Sequence, residues 1–333
     1  MNDGILEFRR ILVATDFSSC ADAALHQAVW LAKQSHGEVV LAHATSDLRR
    51  AVSRTSYKSR IEFLEGQEEH FQRELRRDSD EKLKLAILHL GDTGVKITYE
   101  TLLGEPHVEL IHSVQQEGYD LVVAGTRGNS SWQQLFLGST AKRLIRKCPA
   151  TVWIVKRKPA MPPTSILVAV DTSDASRRAM EQATRLADCV SAELHVLHVV
   201  DHDIPEHLLD MKSTHDPDRS LREVLENEAM HNFETFLSPM RTAKRVMHRH
   251  LLWGSPEEQI VNLAKTIHAD LVVLGTVGRS GVQGLLLGNT AENVLLHSDC
   301  DVLAVKPAGF NSPISPPTWP LHPGPKKEHG QGK

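Results

Sequence analysis

The sequence predicts two tandem α/β domains, each an open, doubly wound, parallel sheet of five strands with helices on both faces. Three observations predict it. The chain repeats itself: a shift of 150 residues lays Leu102-Leu-Gly-Glu-Pro106 on Leu252-Trp-Gly-Ser-Pro256 and Asp120-Leu-Val-Val on Asp270-Leu-Val-Val, and nearer the starts a shift of 155 lays Ile11-Leu-Val-Ala-Thr-Asp16 on Ile166-Leu-Val-Ala-Val-Asp171. Each copy alternates short β-branched apolar runs with segments of helical period, the pattern of a parallel sheet covered on both sides. A proline cluster, Pro159-Ala-Met-Pro-Pro163, separates the copies. The expected organisation is a first domain at 1–158, a linker at 159–163, a second domain at 164–307 and a disordered tail at 308–333, the last rich in Pro, Gly and Lys with little to bury.

The elements of the first copy follow in order. Ile11 to Thr15 is a buried strand, and Ala21 to Gln34 carries apolar residues at helical spacing before Gly37, an expected C-cap. Val39 to Ala44 is a second strand, and the charged stretch from about Tyr57 to Ile87 a long surface helix. Val95 to Leu103 is the third strand, and Gly104 and Pro106 announce a helix over His107 to Gln116. Leu121 to Ala124 is the fourth strand, Thr140 to Lys147 a helix, and Thr151 to Val155 the fifth strand. Right-handed crossovers make such a sheet doubly wound, with ligands at the carboxyl ends of its strands.

Composition narrows the function classes. No apolar run reaches bilayer length, the N-terminus lacks the pattern of a secretion signal, and a net charge of −4 gives no reason to expect nucleic acid as a partner. Cys20, Cys148, Cys189 and Cys300 have no metal-like spacing and suit a reducing, cytoplasmic setting. Of 19 histidines, eight fall between His195 and His250. His248 and His250, two apart on an expected strand, share a face, and with His198 or His202 they would bind zinc at the carboxyl edge of the sheet. The favoured reading is nevertheless surface or hydrogen-bonded histidines, with zinc ligation by these residues as the candidate alternative, since no H-E-x-x-H pattern is present. No G-x-S-x-G elbow points to hydrolysis.

Between the fourth strand and the next helix, Gly125, Gly128 and Gly138 are followed by Ser139 and Thr140, and the second copy repeats the frame as Gly275, Gly278, Gly288, Asn289 and Thr290. Backbone N–H groups at a helix N-terminus bind phosphate, and glycine lets a ligand approach the chain. Ser139 or Thr140 is the expected N-cap. Arg127 and Lys142 lie near in sequence, and Trp132 and Phe136 stand in the intervening loop. One G-x2-G alone would mark only tight turns.

The frame G-x2-G-x9-G-[S/T], with Asp16 and Asp171 at the ends of the first strands, resembles the ATP-binding motif of the universal stress protein family. The resemblance spans residues 8–156 and 164–307 as two UspA-like domains of the tandem type. It implies Rossmann-like domains of the adenine nucleotide alpha hydrolase-like kind, and a cytoplasmic stress regulator that binds ATP or another adenine nucleotide, with or without Mg, and hydrolyses it slowly if at all. By the same resemblance Asp16 faces adenine or ribose and Ala44 flanks the base. Gly125, Arg127, Gly128, Gly138, Ser139 and Thr140 hold ribose and phosphates. The second set is Asp171, Val199, Gly275, Gly278, Gly288, Asn289 and Thr290. Asn289 cannot offer the hydroxyl of Ser139, which ranks the second site as the weaker. The family also implies an intramolecular pseudo-dimer through the fifth strands, with higher homo-oligomers open and no membrane partner. A zinc or hydrolytic enzyme in the second domain and a nucleotide-free interaction scaffold are the alternatives.

Overall fold

The structure, a computed structural model, describes residues 6–45, 67–126, 137–156, 161–200, 204–212, 218–240, 246–277 and 287–316. It divides into two units, Met1–Pro162 with Gly309–Lys333, and Pro163–Ala308.

In the first unit β1 (Arg10–Ala14), β2 (Glu38–Thr45), β3 (Lys96–Leu103), β4 (Leu121–Gly125) and β5 (Thr151–Val155) form a parallel sheet in the order β3-β2-β1-β4-β5. The central strands read as unbroken apolar runs because helices cover both faces; Ile11, Leu12, Val13, Leu121, Val122 and Val123 are wholly buried. Helix α1 (Ser19–Ser35) starts at Ser18, whose hydroxyl accepts the Ala21 N–H at 3.3 Å, and buries Ala21, Ala24, Leu25, Ala28, Leu31 and Ala32 as one stripe.

Its end departs from the sequence reading: His36, not Gly37, takes the left-handed C-cap conformation, with φ of 52°. Gly37 serves a different need. A Cβ there would lie 2.7 Å from the Phe8 carbonyl oxygen and 2.8 Å from that of Arg9, so the glycine lets the chain before β1 cross closely.

The long surface helix is described as α2 (Glu68–His89); residues 57–66 of the expected span lie outside the described residues. Helix α3 (Pro106–Glu117) starts on Pro106 and ends at Gly118 with φ of 68°, and α4 (Ser139–Lys147) leads into β5.

The second unit repeats the plan. Strands β6 (Ser165–Ala169), β7 (Glu193–Val200), β8 (Met247–Trp253), β9 (Leu271–Gly275) and β10 (Asp301–Val305) pair in parallel in the order β8-β7-β6-β9-β10. Helices α5 (Asp174–Val190), α6 (Leu221–Leu237), α7 (Pro256–Thr266) and α8 (Asn289–His297) match α1 to α4 in order. A single turn, Glu206–Leu209, precedes α6, which opens on a capping box between Ser220 and Glu223.

The repeated Asp-Leu-Val-Val has a structural cause. Asp120 Oδ2 accepts the N–H groups of Arg9 and Arg10, both at 2.9 Å, and Asp270 Oδ2 accepts those of Thr164 at 2.6 Å and Ser165 at 3.1 Å. Each aspartate pins the start of the first strand to the start of the fourth.

The tail read as disordered is described as far as Pro316, and there it is held. Gln115 Nε2 donates to the Ile314 carbonyl at 2.9 Å, and a His112 ring nitrogen lies 3.2 Å from that of Ser315. Composition does not reveal such capture of backbone carbonyls by α3 side chains.

Gly37→Ala is expected to destabilise the protein by roughly 1–3 kcal/mol, the usual cost of overpacking against backbone that cannot give. Urea denaturation checks it; an unchanged midpoint would mean the Phe8–Arg9 segment moves freely.

Candidate functional site

In each unit the connections leave in opposite directions from the first and fourth strands, so the crevice between β1 and β4, or β6 and β9, is the topological switch point. The turn after β1 carries Asp16, whose Oδ1 accepts the Ser18 N–H at 3.0 Å, while Thr15 Oγ1 accepts that of Phe17 at 3.0 Å. Phe17 has φ of 62°, and its counterpart Thr172 has φ of 65°. Bulky and β-branched residues seldom adopt that region, so both turns are held by their surroundings.

One holder is a histidine on the second strand. His43 Nδ1 donates to the Thr15 carbonyl at 2.8 Å, and its ring lies 4.5 Å from that of Phe17. His198 Nδ1 donates to the Val170 carbonyl at 2.8 Å. A carbonyl only accepts, so both rings carry the proton on Nδ1. Burial, the larger effect, pushes His43 below the ordinary imidazole value against the pull of this hydrogen bond. His43 and His198 are 155 residues apart, the same offset as the first strands, so the signal for this role was present in the repeat.

The glycines divide by purpose. A Cβ on Gly125 would sit 2.6 Å from the Cys20 carbonyl carbon and oxygen, and one on Gly275 would sit 2.9 Å from Ala175 Cβ. These two admit the first turn of α1 and α5 against the end of the fourth strand. Gly138 and Gly288 have φ of −57° and −69°, so neither needs positive φ. Each donates its N–H to the residue after the fourth strand, Gly138 to Thr126 at 2.6 Å and Gly288 to Thr276 at 2.8 Å.

Gly138 and Gly288 are also the N-caps, which corrects the expectation that Ser139 or Thr140 caps the helix. Ser139 and Asn289 are therefore first helical residues. The first intrahelical bonds are Lys142 N–H to the Gly138 carbonyl and Glu292 N–H to that of Gly288. The amides of Ser139, Thr140 and Ala141, and of Asn289, Thr290 and Ala291, thus precede the helical ladder and have no backbone acceptor among the described residues. Three aligned donors at the positive end of a helix favour an anion.

In the second unit a cavity of about 920 Å³ opens at this place, lined by Asp171, Val199, Gly275, Gly288, Asn289 and Thr290 among others. It brings together every second-copy residue named for the nucleotide site except Gly278, which, like Arg127, Gly128, Trp132, Phe136 and His202, lies outside the described residues. Ala44 is the penultimate residue of β2, as Val199 is of β7, each past the end of the neighbouring first strand. Sequence reasoning missed Glu228 and Asn232 on α6, which also line the cavity, because the two copies diverge between their second and third strands. It also missed Thr276, whose buried Oγ1 has no hydrogen-bond partner among the described residues.

The carboxylates differ between copies. Asp171 Oδ1 accepts the Ser173 N–H at 3.0 Å, the Ser173 hydroxyl at 2.5 Å and the Ser176 hydroxyl, whereas Ala21 stands where Ser176 would be in the first unit.

The histidines group otherwise than expected. In the β7–β8 register His195 faces His248 and Leu197 faces His250, so these imidazoles share one face. His198 points to the other face, where its ring stacks on Phe233 of α6 at 5.7 Å. The expected grouping of His198 with His248 and His250 does not form, because one residue of register reverses the face of a side chain. His195 takes its place: its ring stacks on His248 at 4.6 Å, and its Nδ1 lies 3.1 Å from His250 Nε2. This cluster lies on the amino half of the strands, not the carboxyl edge.

A duplicated, doubly wound parallel domain with an acidic turn after its first strand and a helix N-terminus after its fourth defines a tandem α/β protein with two anion-ready switch points. The chain belongs to the universal stress protein family, whose family model matches residues 7–156 and 163–306. Universal stress protein E of Escherichia coli K12 is 30% identical over 220 residues, covering 63% of this chain and 67% of that protein. Universal stress protein E of Photorhabdus laumondii is 25% identical over 325 residues, covering 92% and 98%. In fold, the crystal structure of a putative universal stress protein from Pseudomonas aeruginosa UCBPP-PA14 matches with a TM-score of 0.60 at 22% identity, covering 92% of this chain and 95% of that one.

The depressed His43 carries a pH signature. As pH drops below about 6.5 the unfolded chain binds a proton that folded His43 resists, so this residue's contribution to stability falls with falling pH. His43→Gln keeps a donor without titrating. Urea midpoints between pH 5 and pH 8 are expected to fall less steeply toward acid in this variant; parallel curves would remove His43 from the account.

Proposed function

We propose that the protein is a cytoplasmic stress-response regulator that binds ATP or another adenine nucleotide at the carboxyl edge of each sheet. The observation that carries the proposal is the second-unit cavity, which joins an aspartate, a glycine-capped helix N-terminus and an apolar strand end in about 920 Å³. That volume lies in the range of small-molecule sites, roughly 300–1,000 Å³. Phosphates would lie on the amides of residues 139–141 and 289–291, with Gly138 and Gly288 leaving the approach open. Ribose and base would lie toward Asp16 with Ala44, and toward Asp171 with Val199. Arg127, Gly128 and Gly278 complete the sets by position in the frame.

No cysteine is joined in a disulfide, and among the described residues no helix is long and apolar enough to cross a membrane. Slow turnover, if any, is part of the proposal: the helix N-terminus that would hold the phosphates binds an anion without itself supplying a base.

Mass spectrometry of small molecules released from the denatured protein, followed by calorimetric titration with ATP, tests the proposal. Ser139→Ala is expected to weaken the first site about three- to tenfold, the equivalent of a lost neutral hydrogen bond of roughly 0.5–1.5 kcal/mol. Asn289→Ser is expected to strengthen the second by a similar factor. Absence of ATP binding to the wild type, with or without Mg²⁺, would leave the glycines as packing devices in a scaffold.

A further inference from the structure

The amino half of β7 and β8 carries a cluster that the nucleotide reading does not use. Donor atoms of Glu193, His195 and His248 all lie within 4.8 Å of one another. His195 is 7% exposed, and its Nε2 is buried without a hydrogen-bond partner; the nearest carboxylate oxygen, Glu193 Oε2, stands 3.6 Å away, beyond hydrogen-bond range. Its other nitrogen faces His250 Nε2 at 3.1 Å. Two neutral imidazoles share one proton across that contact. With the proton on His195 Nδ1, the Nε2 lone pair points at Glu193, as in metal-binding histidines oriented by a hydrogen bond through the second nitrogen.

The first unit serves as an internal control. Glu38 occupies the place of Glu193, and it is bound by Arg10 and Lys96. The corresponding positions of the second unit are Ser165 and Val246, neither of which carries a positive charge. The positions of His195, His248 and His250 are Val40, Thr98 and Glu100 in the first copy. The second copy therefore lacks two cations and has two imidazoles beside the same carboxylate, with a third against His195. General histidine richness does not account for that paired exchange.

We propose that Glu193, His195 and His248 form a binding site in the second unit for a divalent transition-metal ion of the zinc class, with His250 positioning His195. Imidazole nitrogen with one carboxylate suits zinc or its neighbours and not magnesium or calcium, which take oxygen donors. Bonds of about 2.0–2.2 Å need closer donors than the present spread. Glu193 and His248 are exposed and can rotate inward, while His195 stays fixed by the sheet. Three protein donors leave one position of a tetrahedral ion for water.

The test uses the full, tag-free chain, stripped with a chelator and titrated calorimetrically with zinc chloride, then with cobalt(II) followed by its visible absorption. One ion per chain is expected, with cobalt bands of a low-coordinate site. His248→Ala and Glu193→Gln, at exposed positions that leave the fold intact, are expected to weaken binding by about 100-fold or more. His250→Ala is expected to weaken it roughly 10- to 100-fold, the range for residues that orient a ligand, and to shift the cobalt spectrum. His231→Ala, on the exposed face of α6, is expected to change nothing. Absence of saturable binding at micromolar protein, or zinc binding by His248→Ala equal to wild type, would overturn the assignment.

Discussion

The site depends on one close approach: the first turn of the first helix of each unit against the last residue of its fourth strand. In the first unit a methyl group on Gly125 would reach 2.6 Å from the Cys20 backbone, and in the second a methyl on Gly275 would reach 2.9 Å from Ala175. Without that contact the acidic turn after the first strand and the helix start after the fourth could not converge on one crevice. Protein interiors do not deform continuously, so a side chain here would displace the helix and not merely crowd it. The glycine frame thus combines two functions, with its first member setting the packing and its last leaving the helix amides open.

Around this contact the two copies have kept the scaffold and varied the surfaces. The aspartate that pins the first strand, the histidine that holds the strained turn and the capping glycine all recur. What differs is the state of the acidic turn. Asp171 Oδ1 is engaged by two hydroxyls and an amide, whereas Asp16 Oδ1 has the Ser18 amide and no serine in the place of Ser176. An acceptor already given to the protein is less available to a base or ribose. Under the proposed reading this would favour the first copy, as would the change from Ser139 to Asn289, the one through an occupied acceptor and the other through a lost hydroxyl.

Much of this was legible in the sequence, because burial on both faces leaves continuous runs such as Ile11-Leu-Val-Ala and Leu121-Val-Val-Ala that no other element imitates. The repeat then converted a short glycine motif into a placed feature. Illegible features were those set by geometry finer than the pattern. The N-cap moved by one residue because glycine caps through its backbone, and sequence reading favours a side-chain acceptor. The C-cap moved from Gly37 to His36 because Gly37 was needed for clearance. His198 was grouped with the wrong partners because the face of a strand residue depends on register, which turns and neighbours set and hydrophobicity does not. Glu193 and His195 were not named as ligands for the same reason: only the pairing of β7 with β8 brings them to His248.

The two clusters also obey one electrostatic logic. In a parallel α/β layer each helix runs back against the strands, so its N-terminus lies at their carboxyl ends and its C-terminus at their amino ends. The carboxyl edge, where α8 begins at Asn289 with amides that have no backbone acceptor among the described residues, therefore favours anions. The amino edge, where α5 ends at Val190 just before β7 begins at Glu193, presents carbonyl oxygens and favours cations. A phosphate-bearing ligand at one end of the second sheet and a metal ion at the other would each sit where the backbone dipoles lower its energy. In the first unit Arg10 and Lys96 supply the positive charge at the amino edge from the chain itself. Replacing them with Ser165 and Val246 leaves Glu193 in the same field without those lysine and arginine partners, and the imidazoles of the second copy supply the donors that an external cation would need.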